Sequence, residues 1–259
     1  MSLPTLDELR TVVQPPEKMQ RRNGEHWAGR LYMRRISLRT TRLLVNSPIS
    51  PNGYTYLMIV AGVLAGPALL IPGIGGAVLG AFFVQLYLLF DCVDGELARW
   101  RQQTSIVGVY LDRIGAYYAE AAFLVGLGFR ASSLHLDKWA VLGLATALCV
   151  ILVKSESDLV DVARSRAGLP AATEGSVVPR ASGAARLRSV AQIFKIHRLI
   201  VGIESSMLVL LAGILDLFAS GGQHPLVFTK AALVILAVIS AVMVVLHFVS
   251  IVLSSRLKA

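Results

Sequence analysis

Apolar residues run along this chain in long blocks, without the alternation of a half-buried strand. Six blocks, near residues 54–72, 76–98, 106–130, 138–160, 199–219 and 225–254, are each long enough as helices to cross about 30 Å of hydrocarbon at about 1.5 Å per residue. They predict an all-α integral membrane protein, with a six-helix transmembrane domain over 54–259 behind a cytosolic N-terminal segment, 1–53. In that segment Leu31, Ile36, Leu43 and Leu44 interleave with Arg34, Arg35, Arg39 and Arg42. This predicts a helix lying along the membrane surface; a basic flank that only fixes topology is the alternative. Between the fourth and fifth blocks, "AGLPAATEGSVVPRASGAARLRS" is rich in Gly, Ala, Ser and Pro and predicts a cytosolic loop at about 166–190. The pairs Gly62/Gly66 and Gly76/Gly80 have the spacing that lets helices approach closely.

Composition agrees with this pattern. The 259 residues are 55% hydrophobic and only 16% charged, with a mean hydropathy of +0.64, more apolar than a soluble domain needs for its core. Cys92 and Cys149 lie inside apolar blocks and read as small hydrophobes, not as a disulfide framework. The start of the chain lacks the basic-then-apolar order of a cleavable leader, so the N-terminus is expected to stay in the cytosol. The net charge of +9 does not indicate nucleic acid, because the basic residues flank apolar blocks instead of clustering in a soluble module. Nine Lys and Arg precede the first block, two follow the second, eight lie from Lys154 to Arg198, and two end the chain. Arg130, Lys138 and Lys230 fall on the opposite side, and Arg113 lies within the third block. By the positive-inside rule both termini face the cytosol, and an even number of spans requires them to share a side. A cell membrane of prokaryotic type is the expected location.

One stretch departs from the apolar pattern. "DCVDGELARWRQQTSIVGVYLDRIGAYYAE", residues 91–120, places Asp91, Asp94 and Glu96 at the cytosolic end of the second block and Asp112 at the cytosolic start of the third. The two blocks are joined by a short turn and run antiparallel, so their acidic ends become neighbours. Asp91 and Asp94 are about 300° apart on a helix and share a face. Acids in an apolar medium face a polar cavity, pair with cations or hold metal. Oxygen donors without a nearby Cys/His set point to Mg²⁺ or Mn²⁺ and away from zinc. Gly95, Ala98 and Gly108 leave room against the backbone, and Arg99 has the geometry to meet a phosphate. Structural ion pairs made by Arg99 and Arg113 are the alternative reading. A transporter is disfavoured, because the acids lie toward one face and no internal repeat is visible.

The motif Asp91-x-x-Asp94-Gly95-x-x-Ala98-Arg99, followed after eight residues by Gly108-x-x-x-Asp112, resembles that of the CDP-alcohol phosphotransferases, membrane enzymes with six helices. "SPISPNGYT" is similar to the Pro-Asn-x-x-Thr element ahead of that family's first helix. The resemblance implies transfer of a substituted phosphate from a CDP-alcohol to an acceptor alcohol, with release of CMP, in phospholipid or related polar-lipid synthesis. It also implies metal binding by Asp91, Asp94 and Asp112, a nucleotide site formed by Asp94, Gly95, Ala98, Arg99 and Gly108, and a homodimer. Where the family carries a fourth aspartate as general base, this chain has Ala116, and a methyl group accepts no proton. Three explanations stay open: Glu120, one turn deeper, replaces the base; the base has been removed by alteration; or a natural branch binds metal and CDP-alcohol without efficient turnover.

For the acceptor, Lys154, Arg164, Lys195 and Arg198 are cations placed to meet a phosphorylated alcohol such as inositol phosphate or glycerol phosphate. An ordinary basic span end is the competing account. Glu204 is expected to share the polar cavity, and Asp216 to be solvated at the opposite interface.

Overall fold

A computed structural model describes residues 3–15, 28–170, 202–219, 226–254 and 257; Lys195, Arg198 and most of the loop expected at 166–190 lie outside them. The described residues are helical, with no strand among them. In chain order the helices are α1 (Leu6–Val13), a π-helical turn (Gly29–Met33) running into α2 (Arg34–Leu44), α3 (Pro51–Leu69), α4 (Gly73–Trp100), α5 (Ile106–Ala131), α6 (Lys138–Arg166), α7 (Gly202–Ala219) and α8 (Val227–Leu253). Their starts are set by local chemistry. Thr5 and Glu8 form a reciprocal capping box. Ser50 caps α3 ahead of Pro51 at the first helical position, Ser105 accepts from the Gly108 amide, and Asp137 accepts from two amides of α6.

Among the described residues, α3, α4, α6 and α8 are long and apolar enough to cross a membrane. The chain is therefore an integral membrane protein, and exposed Val60, Phe82, Val141, Leu148, Val238 and Phe248 supply a lipid-compatible exterior. α5 carries Asp112, Arg113, Glu120 and Arg130, and α7 is an 18-residue helix with Glu204 and Asp216. The core joins Leu69, Leu88, Phe123, Leu127, Val150, Leu233 and Leu236 from α3, α4, α5, α6 and α8. Cys92 is buried in this apolar packing and Cys149 is half-buried.

α3 lies close against α5 because small residues meet there. A Cβ added at Gly126 would fall 2.3 Å from the Gly66 carbonyl oxygen, and one at Gly66 would fall 2.3 Å from that of Ala122. Backbone cannot yield as a flexible side chain can. Gly126→Leu is expected to cost about 3 kcal/mol or more through overpacking, whereas Gly75→Ala, with nothing within 4 Å of its added Cβ, leaves the thermal midpoint unchanged. Thermal unfolding in detergent reads both.

Four polar residues at the end of the bundle away from the acidic stretch have specific partners. Arg130 is buried and donates to the carbonyls of Leu69, Ile71 and Gly73, closing the α3–α4 turn. Asp216, expected in solvent, is 6% exposed and accepts from the Phe228 and Thr229 amides and the Thr229 hydroxyl at 2.6–3.0 Å. It caps α8 from another helix, a contact local spacing does not reveal. Lys138 and Lys230 both lie over the Trp139 ring, at 5.4 and 5.6 Å.

α2 packs on the bundle through a small-residue face and leaves most of the apolar set expected to face the membrane uncovered. Leu31, Ile36 and Leu43 are exposed, whereas Ser37, Leu38 and Thr41 are buried. The small hydroxyls face α4, where they meet Glu96.

Candidate active site

A cavity of about 360 Å³ opens among α4, α5, α6 and the start of α7. α4 contributes Tyr87, Leu88 and Asp91; α5 contributes Asp112, Arg113, Ala116, Tyr117 and Glu120; α6 contributes Val153, Lys154, Ser157 and Asp158. Asp91 and Asp112, on neighbouring helices, both line this cavity. A divalent cation is commonly held by one or two such carboxylates.

Asp94, 7% exposed and about one helical turn beyond Asp91 on α4, turns its carboxylate to Thr55, whose hydroxyl donates to Oδ2 at 2.6 Å. Thr55 is the threonine of the Pro-Asn-x-x-Thr element, and Asn52 of the same element lies against Gly108, where an added Cβ would stand 2.9 Å from Asn52 Oδ1. The start of α3 is thereby fitted into the α4–α5 turn. Arg101 reinforces the junction by donating to the carbonyls of Leu44, Ser47 and Ile49. No three acidic, histidine or cysteine side chains form a ready metal cage among the described residues. Asp91 and Asp112, with Asp94 nearby, still fit a hard cation of the Mg²⁺ kind, which commonly takes one or two carboxylates and completes its shell with water and substrate phosphate.

Two other parts of the predicted constellation have partners of their own. The Arg99 guanidinium stacks over Gly95, 3.1 Å from where a Cβ would be, and its Nε donates to the Val13 carbonyl at 2.8 Å. Glu120, 5% exposed, pairs with Lys154 at 3.1 Å inside the cavity. Lys154 is therefore at the site, whereas Arg164 donates to the Pro170 carbonyl at the end of its own helix and does not line the cavity. Glu204 is buried, and Ile203 beside it is the α7 residue that lines the cavity.

Tyr87, Tyr117 and Ser157 line the cavity without a signal in the sequence, while Arg113 forms ion pairs, as the alternative reading of it expects. Tyr87 lies one helical turn before Asp91, inside an apolar run that hides it. Tyr117 donates to Asp158 at 3.0 Å, and Arg113 pairs with Asp158 and, at 3.5 Å, with Asp161. Ser157 is next to Asp158 on the same wall. These contacts link α5 to α6 across some 40 residues of sequence, which only the relative rotation of two helices decides.

The fold and site define a helical membrane protein with a carboxylate-lined cavity enclosed by the helix bundle. The chain belongs to the CDP-alcohol phosphatidyltransferase family, whose sequence model matches residues 48–254. It is 29% identical over 135 residues to the bifunctional IPC transferase and DIPP synthase of Thermococcus kodakarensis, a match covering 52% of this chain and 30% of that protein. To the protein of the same name from Aquifex aeolicus it is 31% identical over 105 residues, covering 40% of this chain and 23% of the relative. The matched region thus spans less than a third of either relative.

Proposed function

We propose that the protein transfers a substituted phosphate from a CDP-alcohol, such as CDP-diacylglycerol, to the hydroxyl of an acceptor alcohol and releases CMP at the cytosolic face of a cell membrane. In this reading α3 to α8 are six spans, both termini are cytosolic, and α2 lies at the inner surface with Leu31, Ile36 and Leu43 toward lipid. The distribution of Lys and Arg supports that orientation. The functional unit is a homodimer.

The observation that carries the reading is that Asp91 and Asp112, from two successive helices, line one cavity, while Asp94, one turn from Asp91, is bound by Thr55. Asp91, Asp94 and Asp112 would hold Mg²⁺ or Mn²⁺, which supplies positive charge to the bridging phosphates and the departing CMP. Gly95, Ala98 and Gly108 leave space for the nucleotide against the backbone, and Arg99 borders it. Lys154 stands where an anionic acceptor would enter. The acceptor oxygen bonds to phosphorus as the bond to the CMP oxygen breaks, and the hydroxyl proton must pass to the protein or solvent.

Purified protein is expected to release CMP from CDP-alcohols with Mg²⁺ or Mn²⁺, and chelation with EDTA is expected to stop the release. The acceptor panel includes lipid alcohols, inositol phosphate and glycerol phosphate. Inactivity of both the chain as it stands and Ala116→Asp, across donors and acceptors, would overturn the reading. The methyl group of Ala116 in the cavity wall favours one second reading, a protein that binds metal and CDP-alcohol with little turnover. Metal-dependent CDP binding, with CMP release appearing only in Ala116→Asp, would identify it.

A further inference from the structure

Ala116 leaves the cavity without a carboxylate at the position the family uses for proton abstraction, and the structure shows what lines the cavity with it. On α5, Arg113 and Tyr117 bond to Asp158, and Glu120 bonds to Lys154. Ala116 lies in the same stretch of α5 and lines the same cavity as Lys154, Ser157 and Asp158 of α6. Lys154 and Asp158 are engaged in those same pairs. The remaining polar side chain of α6 in the cavity wall is Ser157.

Ser157 has a partner outside the cavity. Its Oγ lies 3.4 Å from His247 Nε2, and the other ring nitrogen, Nδ1, lies 2.8 Å from Glu156 Oε2. A carboxylate at Nδ1 takes the N–H there and leaves Nε2 as the acceptor facing Ser157. The order is hydroxyl, imidazole, carboxylate, the arrangement by which an activated oxygen is coupled to a base oriented by a third group. Depth agrees as well. At about 1.5 Å per residue, Ser157 is about 28 Å from the start of α6, Asp91 about 27 Å from the start of α4, and Asp112 about 28 Å from the end of α5. The hydroxyl therefore stands level with the acidic pair.

We propose that Ser157, His247 and Glu156 replace the missing base as a proton relay for the acceptor hydroxyl, an inference that rests on the transferase reading above. The acceptor's proton passes to Ser157 Oγ as Ser157 gives its own proton to His247 Nε2. The acceptor oxygen bonds to phosphorus, CMP departs, and the imidazolium later returns the proton to solvent. Ser157 is the catalytic residue that touches the acceptor. His247 acts through it, and Glu156 is a positioning residue that fixes the tautomer and stabilises the imidazolium. The 3.4 Å contact is loose, and such contacts tighten when substrate closes on a site.

The test uses the full chain in detergent, with Mg²⁺ or Mn²⁺, a CDP-alcohol donor and the acceptor panel, and follows CMP release. Ser157→Ala and His247→Gln are each expected to lower kcat about a hundredfold, the lower range for losing a general base, while the donor KM stays unchanged. Glu156→Gln is expected to lower kcat about tenfold. Adding Ala116→Asp to each variant restores turnover, because a carboxylate at 116 makes the relay unnecessary; a merely structural role would show no such rescue. Full activity of His247→Gln, or a loss that Ala116→Asp does not repair, overturns the relay. Activity confined to Ala116→Asp proteins overturns the relay and leaves the transferase standing. Inactivity of every protein in the set overturns both.

Discussion

Asp94→Asn is expected to lower CMP release about a thousandfold, the scale on which loss of one charge-stabilising group slows phosphoryl and acyl transfer, with little change in thermal midpoint. The substitution keeps shape. An asparagine carbonyl can still accept the Thr55 hydrogen bond that Asp94 Oδ2 takes at 2.6 Å, so the junction between α3 and α4 is preserved. What is lost is one negative charge beside Asp91 and Asp112, where the proposed reaction needs carboxylates to hold a cation against substrate phosphates. Calorimetry should therefore show metal-dependent CDP binding in the parent and none in Asp94→Asn. Thr55→Val provides the contrast, since it keeps the charge but removes the orienting hydroxyl. A loss of about tenfold is expected there, in line with outer-shell groups around metal sites. Unchanged metal dependence in Asp94→Asn would remove Asp94 from the site.

The features legible in the sequence were those that a single helix or a short turn encodes. Apolar block length located the four helices long and apolar enough to span, α3, α4, α6 and α8, because crossing a bilayer and burying backbone amides both demand long continuous helices. The spacing of Asp91, Asp94, Gly95 and Asp112 placed three carboxylates at the joined ends of α4 and α5, and Asp91 and Asp112 do line one cavity. The sequence also marked Thr55, but not its acceptor. Contacts that depend on helix rotation stayed hidden. A helix apolar on nearly every side carries no stripe to say which face meets which neighbour, so the approach of His247 to Glu156 and Ser157, some 90 residues away, has no local trace. Asp216 misled for the same reason, its partners Phe228 and Thr229 belonging to another helix. In α2 the arginines and leucines drew the eye, while Ser37 and Thr41 make the contact that fixes the helix.

That contact gives the largest expected stability effect. Glu96→Ala is expected to destabilise the seating of α1 and α2 by about 3–5 kcal/mol, the cost of removing one partner from a buried charged network, and to lower the thermal midpoint on the order of 10 °C. Glu96 is fully buried and accepts from Gln14 Nε2 at 2.7 Å, Ser37 Oγ at 2.8 Å and Thr41 Oγ1 at 2.7 Å, with the Arg34 guanidinium 3.7 Å away. Truncation removes the shared acceptor of two buried hydroxyls and the half-buried Gln14 amide at once and takes the counter-charge from Arg34. Glu96→Gln is expected to lose less, since one oxygen remains an acceptor while the amide nitrogen opposes a donor. The effect should reach the reaction. Glu96 lies one helical turn from Arg99, whose Nε holds the Val13 carbonyl at the end of α1, so loosening the N-terminal helices frees the guanidinium over Gly95 and should raise the donor KM more than it lowers kcat. Limited proteolysis should then cut within residues 1–45 faster in Glu96→Ala than in the parent. Equal cutting rates and an unchanged midpoint would mean that apolar packing of Leu9, Val13 and Leu38 against Val93 and Leu97 is enough to hold the segment, and that the buried carboxylate only sets its register.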